Sequence, residues 1–253
     1  MSDLYLKQLT VGPMANFAYL VGSRSAKQCL AVDPAWDIAA IRAAAAADGM
    51  DMVGALVSHY HPDHCGGHLW GHDIQGIAEL VADKAMPIYV QQEEMAGIMQ
   101  VTGLSRGDFK PCVSGDKVKV GGVDITLIHT PGHTPGSQCF LCEGNLISGD
   151  TLFINGCGRV DLPGGNSEQL YDSLTNKIAK LPDATVVYPG HHYDPATHAT
   201  LASMKTTNPY LQANSVAAWR QLRGYACGMC ECCASSSVPA LCLAAPNLRL
   251  RLI

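Results

Sequence analysis

The chain has 253 residues, of which 47% are hydrophobic and 15% charged, and 22 acidic against 17 basic residues give a formal net charge of −5. This composition excludes a disordered chain, a coiled coil and a collagen-like fibre, and it is typical of a globular protein. It also argues against a nucleic-acid binder that works by neutralising phosphates, because such a protein is expected to be basic.

Short apolar runs alternate with helical patterns over the first 200 residues, which predicts an α/β layered domain. In chain order, strands are predicted at 17–22, 29–34, 53–59, 86–90, 123–130, 137–142, 145–150 and 184–190. Helices are predicted at 37–48, 73–86, 91–101 and 167–180.

The composition changes after Arg223, which predicts one folded domain over 1–223 and a separate tail over 224–253. The tail contains five of the 11 cysteines, one acidic residue and two arginines. Its C-x-x-C-x-C-C pattern could bind a soft metal, although a closed zinc site normally pairs two such clusters. A metal-binding tail and a poorly ordered tail both remain open at this point.

No stretch of the sequence reaches the roughly 18–20 consecutive apolar residues of a membrane span, and the first ten residues do not resemble a leader peptide. We therefore expect a cytoplasmic protein without a membrane partner. Six cysteines are scattered through the first 160 residues, and we expect them to be reduced, packed thiols, as in other cytosolic proteins. They are Cys29, Cys65, Cys112, Cys139, Cys142 and Cys157.

A cluster of histidines follows the strand predicted at 53–59. Four side chains of the ligand type lie within six residues, and without a cation they would desolvate or repel one another. They are His59, His61, Asp63 and His64. Along an extended loop, alternation sends His59 and His61 one way, while Asp63 and His64 turn toward a second centre. Imidazole and carboxylate together bind zinc, iron or manganese, with zinc as the default.

Three more residues of the ligand type stand at strand ends beside a glycine, where open α/β sheets place their sites. His133 lies in the turn Thr130–Gly136 (TPGHTPG), Asp150 follows Gly149, and His191 follows Gly190. His68 and His72 are also four residues apart, but Gly71 separates them and they lack partners. We assign these two histidines to structure or solvent contact.

The series H-x-H-x-D-H, P-G-H, G-D and G-H resembles the motif series of the metallo-β-lactamase fold superfamily, over about residues 5–210. Segments 149–153 (GDTLF) and 156–159 (GCGR) make the chain most similar to the glyoxalase II (hydroxyacylglutathione hydrolase) group. The resemblance implies an αββα sandwich within 1–223, with metals at one edge.

The family's binuclear ligand pattern is matched at every position. The resemblance implies that His59, His61 and His133 hold one metal, and that Asp63, His64 and His191 hold the other. Asp150 would bridge the two ions, so that Asp63 and Asp150 are the predicted catalytic carboxylates. Two divalent ions are expected, with zinc as the default and iron or manganese as alternatives.

The implied reaction is hydrolysis of a thioester by a hydroxide that bridges the metals. The substrate partner is a small-molecule thioester, with glutathione as a candidate thiol, and no nucleic-acid partner is expected. Arg159 and Tyr193 match positions that contact glutathione in the family. Asp161 replaces a tyrosine that the family usually has, and the tail does not replace the family's basic C-terminal contacts. The sequence does not indicate the oligomeric state.

Two alternatives of related chemistry remain open. The segment 156–161 (GCGRVD) also resembles the persulfide dioxygenases, which use one iron at the positions of His59, His133 and Asp150. In that branch the remaining ligand-type residues can persist without binding a second metal, so the motifs alone do not separate the two activities. A lactone is an alternative substrate for the hydrolase. The segment 68–105 is either a lid over the metals or an insertion packed on the sandwich.

Overall fold

A computed structural model describes residues 2–223 of the chain. The predicted tail, with its two open interpretations, lies outside the described residues. The strands are β1 (Leu4–Val11), β2 (Asn16–Ser23), β3 (Gln28–Val32), β4 (Asp51–Leu56), β5 (Gly67–Leu69), β6 (His72–Ile74), β7 (Ile88–Gln91), β8 (Phe109–Cys112), β9 (Lys117–Val120), β10 (Val123–His129), β11 (Gln138–Cys142), β12 (Asn145–Gly149), β13 (Val186–Pro189) and β14 (Ala199–Thr200). The α-helices are α1 (Ile38–Ala47), α2 (Pro62–Cys65), α3 (Ile77–Ala82), α4 (Met95–Thr102), α5 (Ser167–Asp172), α6 (Leu201–Thr207), α7 (Pro209–Gln212) and α8 (Val216–Leu222).

Two six-stranded sheets form the middle of the fold. The first has the order β1-β2-β3-β4-β7-β8, and the second has the order β14-β13-β12-β11-β10-β9. Strands β3, β4, β7 and β8 run parallel, as do β12 and β13, whereas the other neighbours are antiparallel. Every residue of β2 is buried, because this strand has neighbours on both sides and is covered on both faces.

Three hydrophobic clusters identify four layers. One cluster joins the inner faces of the two sheets, with Phe17 of β2 and Phe140 of β11 among its buried members. A second cluster packs α1, α3 and α4 against the outer face of the first sheet. The third packs α5, α6 and α8, including the fully buried Trp219, against the second sheet. The αββα sandwich predicted from the sequence is therefore confirmed.

The helix predicted at 37–48 is confirmed as α1. The carboxylate of Asp37 accepts a hydrogen bond from the backbone N–H of Ala40 at 2.8 Å, which caps the first turn. The alanine run then supplies the residues with the best helical propensity. The helix predicted at 167–180 begins at α5 and continues as one π-helical turn and one 3₁₀ turn to Lys180.

The helix predicted at 73–86 is wrong at both ends, because residues 73–74 belong to strand β6 and residues 83–86 are not helical. Strands β5 and β6 form a hairpin, and Trp70 and Gly71 take positive φ angles at its tip. Only α3 is helical, and Gly76 stands at its N-cap. Trp70 is 79% exposed, and His68 pairs with Asp73 on the hairpin surface, which agrees with the expected solvent role of this histidine.

The segment 68–105 is mostly packed into the sandwich. Strand β7 lies inside the first sheet between β4 and β8, and Ile98 of α4 is fully buried in the second cluster. Of the two interpretations of this segment, packing on the sandwich fits β7 and α4. Within the described chain, none of the helices is both long enough and apolar enough to cross a membrane.

Candidate metal centre

The seven predicted ligand residues meet at one edge of the sandwich, because each follows the end of a strand. His59 and His61 follow β4, His133 follows β10, Asp150 follows β12 and His191 follows β13. Asp63 and His64 lie in the short helix α2, whose first residue is Pro62. Proline suits the first helical position, since its missing N–H would have no helical partner.

The predicted ligands form two groups at this edge of the sandwich, and a third group of potential ligand atoms joins Asp33 to His59 and His64. In the first group, which consists of His59, His61 and His133, Nδ1 of His61 lies 3.0 Å from Nε2 of His133. The second group consists of Asp63, His64 and His191, and it joins Nε2 of His64 to Nε2 of His191 at 3.1 Å. In each group the potential ligand atoms lie within 4.8 Å of one another.

Asp150 lies between the two groups. Its Oδ2 atom is 3.6 Å from Nε2 of His133 in the first group and 3.4 Å from Nε2 of His191 in the second. Its Oδ1 atom is 3.4 Å from Nε2 of His64. A Cβ atom on Gly190 would stand 2.4 Å from Oδ1 of Asp150, so only glycine allows this close approach.

The outer nitrogens of three ligand histidines are held in place by hydrogen bonds. Nδ1 of His133 donates to the carbonyl of Arg159 at 2.7 Å, and Nδ1 of His191 donates to the carbonyl of Met14 at 3.0 Å. Nδ1 of His64 lies 3.1 Å from the carboxylate of Asp33. Because carbonyls and carboxylates only accept, these rings carry hydrogen on Nδ1 and direct Nε2 toward the centre.

Ser58 gives His59 the same orientation. The Ser58 hydroxyl donates to Oδ2 of Asp33 at 2.6 Å, and its oxygen then accepts from Nδ1 of His59 at 2.9 Å. Nε2 of His59 therefore faces the centre with a free electron pair.

The donor set fits a divalent metal. Among residues 2–223, both Nε2 of His59 and Oδ1 of Asp150 are buried and have no hydrogen-bond partner. Each buried polar atom that lacks a hydrogen-bond partner destabilises the folded protein by about 1–3 kcal/mol. Imidazole nitrogens and carboxylate oxygens are the ligands of zinc and of divalent iron or manganese, so bound ions would pair both atoms.

The electrostatics of the site keep the first group and Asp150 in the forms that bind metal. Burial lowers the pKa of His59 and of His133, and it lowers that of His61 to about 4, so these rings are neutral at pH 7. Burial works to raise the pKa of Asp150, but the facing His191 and His64 hold it well below its usual value. Neutral imidazole and ionised carboxylate are the ligand forms.

His64 shows that the centre attracts positive charge. Burial alone would lower its pKa, yet the carboxylates of Asp63 and Asp150 outweigh burial and raise it well above the usual value. Two carboxylates close together in a buried site need a cation beside them.

Two residues that the sequence analysis did not single out support the ligands. Asp33 holds Ser58 and His64, and it takes a φ of 49° directly after β3. The side-chain amide of Asn16 donates to Oδ2 of Asp63 at 2.9 Å, and its oxygen accepts from the indole of Trp36. The sequence did carry a signal for Asp33, because this acidic residue directly follows a strand, as the ligand Asp150 does.

The two residues expected to bind substrate lie in different surroundings. The ring of Tyr193 stacks on His191 with centroids 4.6 Å apart, and the residue is 59% exposed, so it borders the centre. The guanidinium of Arg159 lies on the surface, where it donates two hydrogen bonds to Asp161 at 2.9 and 2.7 Å. Only the backbone carbonyl of Arg159 reaches the centre, through His133.

The chain is similar to several known proteins. The family model of the metallo-beta-lactamase superfamily matches residues 11–191. The hydroxyacylglutathione hydrolase of Alkalilimnicola ehrlichii is 35% identical over 196 residues, which cover 78% of this chain and 69% of that protein.

Similarity extends to a second activity. The mitochondrial persulfide dioxygenase ETHE1 of Bos taurus is 28% identical over 213 residues, which cover 83% of this chain and 77% of that protein. The crystal structure of ETHE1 from Myxococcus xanthus matches with a TM-score of 0.73 at 27% identity and covers 87% of this chain and 90% of its own.

Proposed function

The chain belongs to the metallo-beta-lactamase superfamily, and we propose that it is a binuclear metal-dependent hydrolase that cleaves a thioester. The position of Asp150 carries this proposal, because its two oxygens approach ligand groups on both sides. A mononuclear site would not require a complete second group around Asp63, His64 and His191. The hydroxyacylglutathione hydrolase relative supports the choice of substrate class.

We assign the first metal to His59, His61 and His133, the second to Asp63, His64 and His191, and a bridging position to Asp150. Zinc is the proposed metal, with iron or manganese as alternatives for the same donors. When bound, such a pair supplies a nucleophile from water at neutral pH and stabilises negative charge on the substrate carbonyl oxygen.

The chain's own residues then have to hold the ligands and the substrate. Asp33 and Ser58 orient His64 and His59, and Asn16 orients the carboxylate of Asp63. Burial raises the pKa of Tyr193, and the carboxylates of Asp150 and Asp63 raise it further, so its phenol stays protonated. Its O–H group can therefore donate a hydrogen bond to a substrate beside His191.

A thioester suits this site because its leaving group needs little help. A thiol has a pKa near 8.5, so it departs as thiolate near neutral pH without a general acid. An amide or a phosphodiester would require a proton donor at the leaving atom.

Glutathione is the proposed thiol, and Arg159 is the proposed contact for it. Asp161 holds that guanidinium, so a bound anion has to compete with the ion pair. We place the protein in the cytoplasm, because the six cysteines of the described chain are free thiols and reducing compartments preserve them.

The experiment that tests this proposal compares two reactions on one preparation. We expect release of free thiol from a glutathione thioester, and loss of this activity in Asp150→Asn but not in the exposed control Asp172→Asn. Consumption of oxygen with glutathione persulfide, in the absence of thioester cleavage, would overturn the hydrolase and favour the activity named for the Bos taurus relative.

A further inference from the structure

Glu94 is a buried carboxylate that the proposed reaction does not use. It ends the 3₁₀ turn between β7 and α4, and it is only 1% exposed. It is not a member of the candidate ligand groups found among residues 2–223. A charged side chain in this position is costly to bury, so its contacts indicate what it does.

Both oxygens of Glu94 accept hydrogen bonds from two distant loops. Oε1 accepts from the backbone N–H of Tyr60 at 2.8 Å and from the hydroxyl of Thr134 at 2.6 Å. Oε2 accepts from the backbone N–H of Gly136 at 2.6 Å. A Cβ atom on Gly136 would stand 2.5 Å from Oε2, so glycine is needed for this contact.

These two loops carry the whole first ligand group. Tyr60 lies between His59 and His61, and Thr134 directly follows His133. The three hydrogen bonds therefore fix the distance between the loop after β4 and the turn after β10. The hydrogen bonds of the Glu94 side chain do not reach His191. Those of Asn16 reach Asp63, and those of Asp33 reach both His64 and Ser58, which holds His59.

We propose that Glu94 is a positioning residue that sets the geometry of the three-histidine metal site without touching the metal. This inference rests on the proposed binuclear centre, and it adds that the two metal sites depend on different supporting residues. Glu94 contributes to the affinity of the first site, whereas the second site depends on other contacts.

The substitution Glu94→Gln tests the proposal with almost no change in volume. Each carboxyl oxygen of Glu94 accepts from a backbone N–H. In glutamine one of these atoms becomes an NH₂ group, and either orientation of the amide turns that donor toward a backbone N–H. This conflict arises whether or not the carboxyl of Glu94 carries a proton.

Zinc affinity should be measured separately for each site, by competition with a chelator. His191→Ala disables the second group, so the zinc that this variant still binds reports the affinity of the first site. His133→Ala disables the first group, so the zinc that this variant binds reports the affinity of the second site. We expect Glu94→Gln to weaken zinc binding about tenfold or more in the His191→Ala background, in line with other outer contacts of metal ligands. In the His133→Ala background we expect less than about a twofold change.

Glu93→Gln is the matched control, because Glu93 lies next to Glu94 but is exposed to solvent. It should change neither affinity. Equal weakening of both sites would show a general structural role for Glu94 and overturn the proposal, as would unchanged affinity at the first site.

If Glu94→Gln does not fold, Thr134→Val removes one of the three hydrogen bonds and leaves the carboxylate in place. It should weaken the same site by a smaller factor, and an effect on the second site alone would contradict the proposal. Failure of the proposed function would look different: zinc would bind normally in both backgrounds, but the unmodified protein would not release thiol.

Discussion

Oδ2 of Asp33 lies 3.1 Å from Nδ1 of His64, and the same oxygen accepts the hydroxyl hydrogen of Ser58 at 2.6 Å. His64 belongs to the second ligand group, whereas Ser58 holds His59 of the first. One buried carboxylate thus orients a ligand in each group. Asp33 therefore supports ligands of both groups, whereas the hydrogen bonds of Glu94 are made beside ligands of the first group alone.

Substitution of Asp33 by asparagine should weaken both metal sites. Oδ1 of Asp33 accepts from the backbone N–H of Ser58, and Oδ2 accepts from the Ser58 hydroxyl and from His64. An amide cannot accept at both positions, so one ring loses its orientation or one N–H loses its partner. We expect affinity for each metal to fall by about 10–100-fold, measured by chelator competition.

The matched control for this substitution is Asp51→Asn. Asp51 is exposed and contacts Lys84 on the surface, so its loss should leave both affinities unchanged. Binding of both metals by Asp33→Asn as tightly as by the unmodified protein would contradict the role given to Asp33.

The ion pair between Arg159 and Asp161 should control substrate affinity. Arg159→Ala is expected to raise KM for a glutathione thioester about tenfold, equivalent to about 1.4 kcal/mol. Asp161→Ala should lower KM, because it releases the guanidinium for a substrate carboxylate. Both variants should keep kcat, since the contact is made equally before and during reaction.

Steady-state kinetics with measured metal content test this prediction. Asp161→Ala should not unfold the protein, because an exposed ion pair contributes about 0–1 kcal/mol. Equal KM values for both variants and the unmodified protein would show that the substrate is bound elsewhere.

The six cysteines of the described domain should resist alkylation in the folded protein. Burial raises the pKa of Cys139 and Cys112 to about 11, that of Cys29 and Cys157 to about 12, and that of Cys65 well above its usual value. Cys142 is raised to about 12 in the same way. At about pH 8 the reactive thiolate is then less than about 1% of each.

Peptide mass spectrometry after brief treatment with iodoacetamide measures this directly. Peptides with these six residues should stay unmodified in the native protein and become modified after unfolding in urea. Equal modification in both conditions would contradict the packed thiols.

Much of the fold follows from local patterns, and the exceptions have physical causes. The strands that carry the site were predicted to within three residues, because they are short apolar runs that end at polar ligands. Strand β1 was not predicted, because it is an edge strand of mostly half-buried residues and does not alternate clearly between apolar and polar residues. The predicted helix at 73–86 included the last two residues of β6, because β5 and β6 are three residues long and too short to show an alternating apolar pattern.

The residues of the site also divide into those that the sequence predicts and those that it does not. Ligands that share a motif were found together, as in residues 59–64, and the structure brings them to one edge. Asp33 and Glu94 were not found, because each is a single acidic residue whose partners lie more than 20 residues away. Contacts of that kind depend on the folded topology, and a local pattern does not report them.

Metal content per chain, determined by elemental analysis on protein purified without chelator or added metal, tests the binuclear hydrolase most directly. We expect close to two divalent ions per chain, mainly zinc, with the second ion lost in His191→Ala. Close to one iron per chain, with little zinc and no change in His191→Ala, would contradict the binuclear centre.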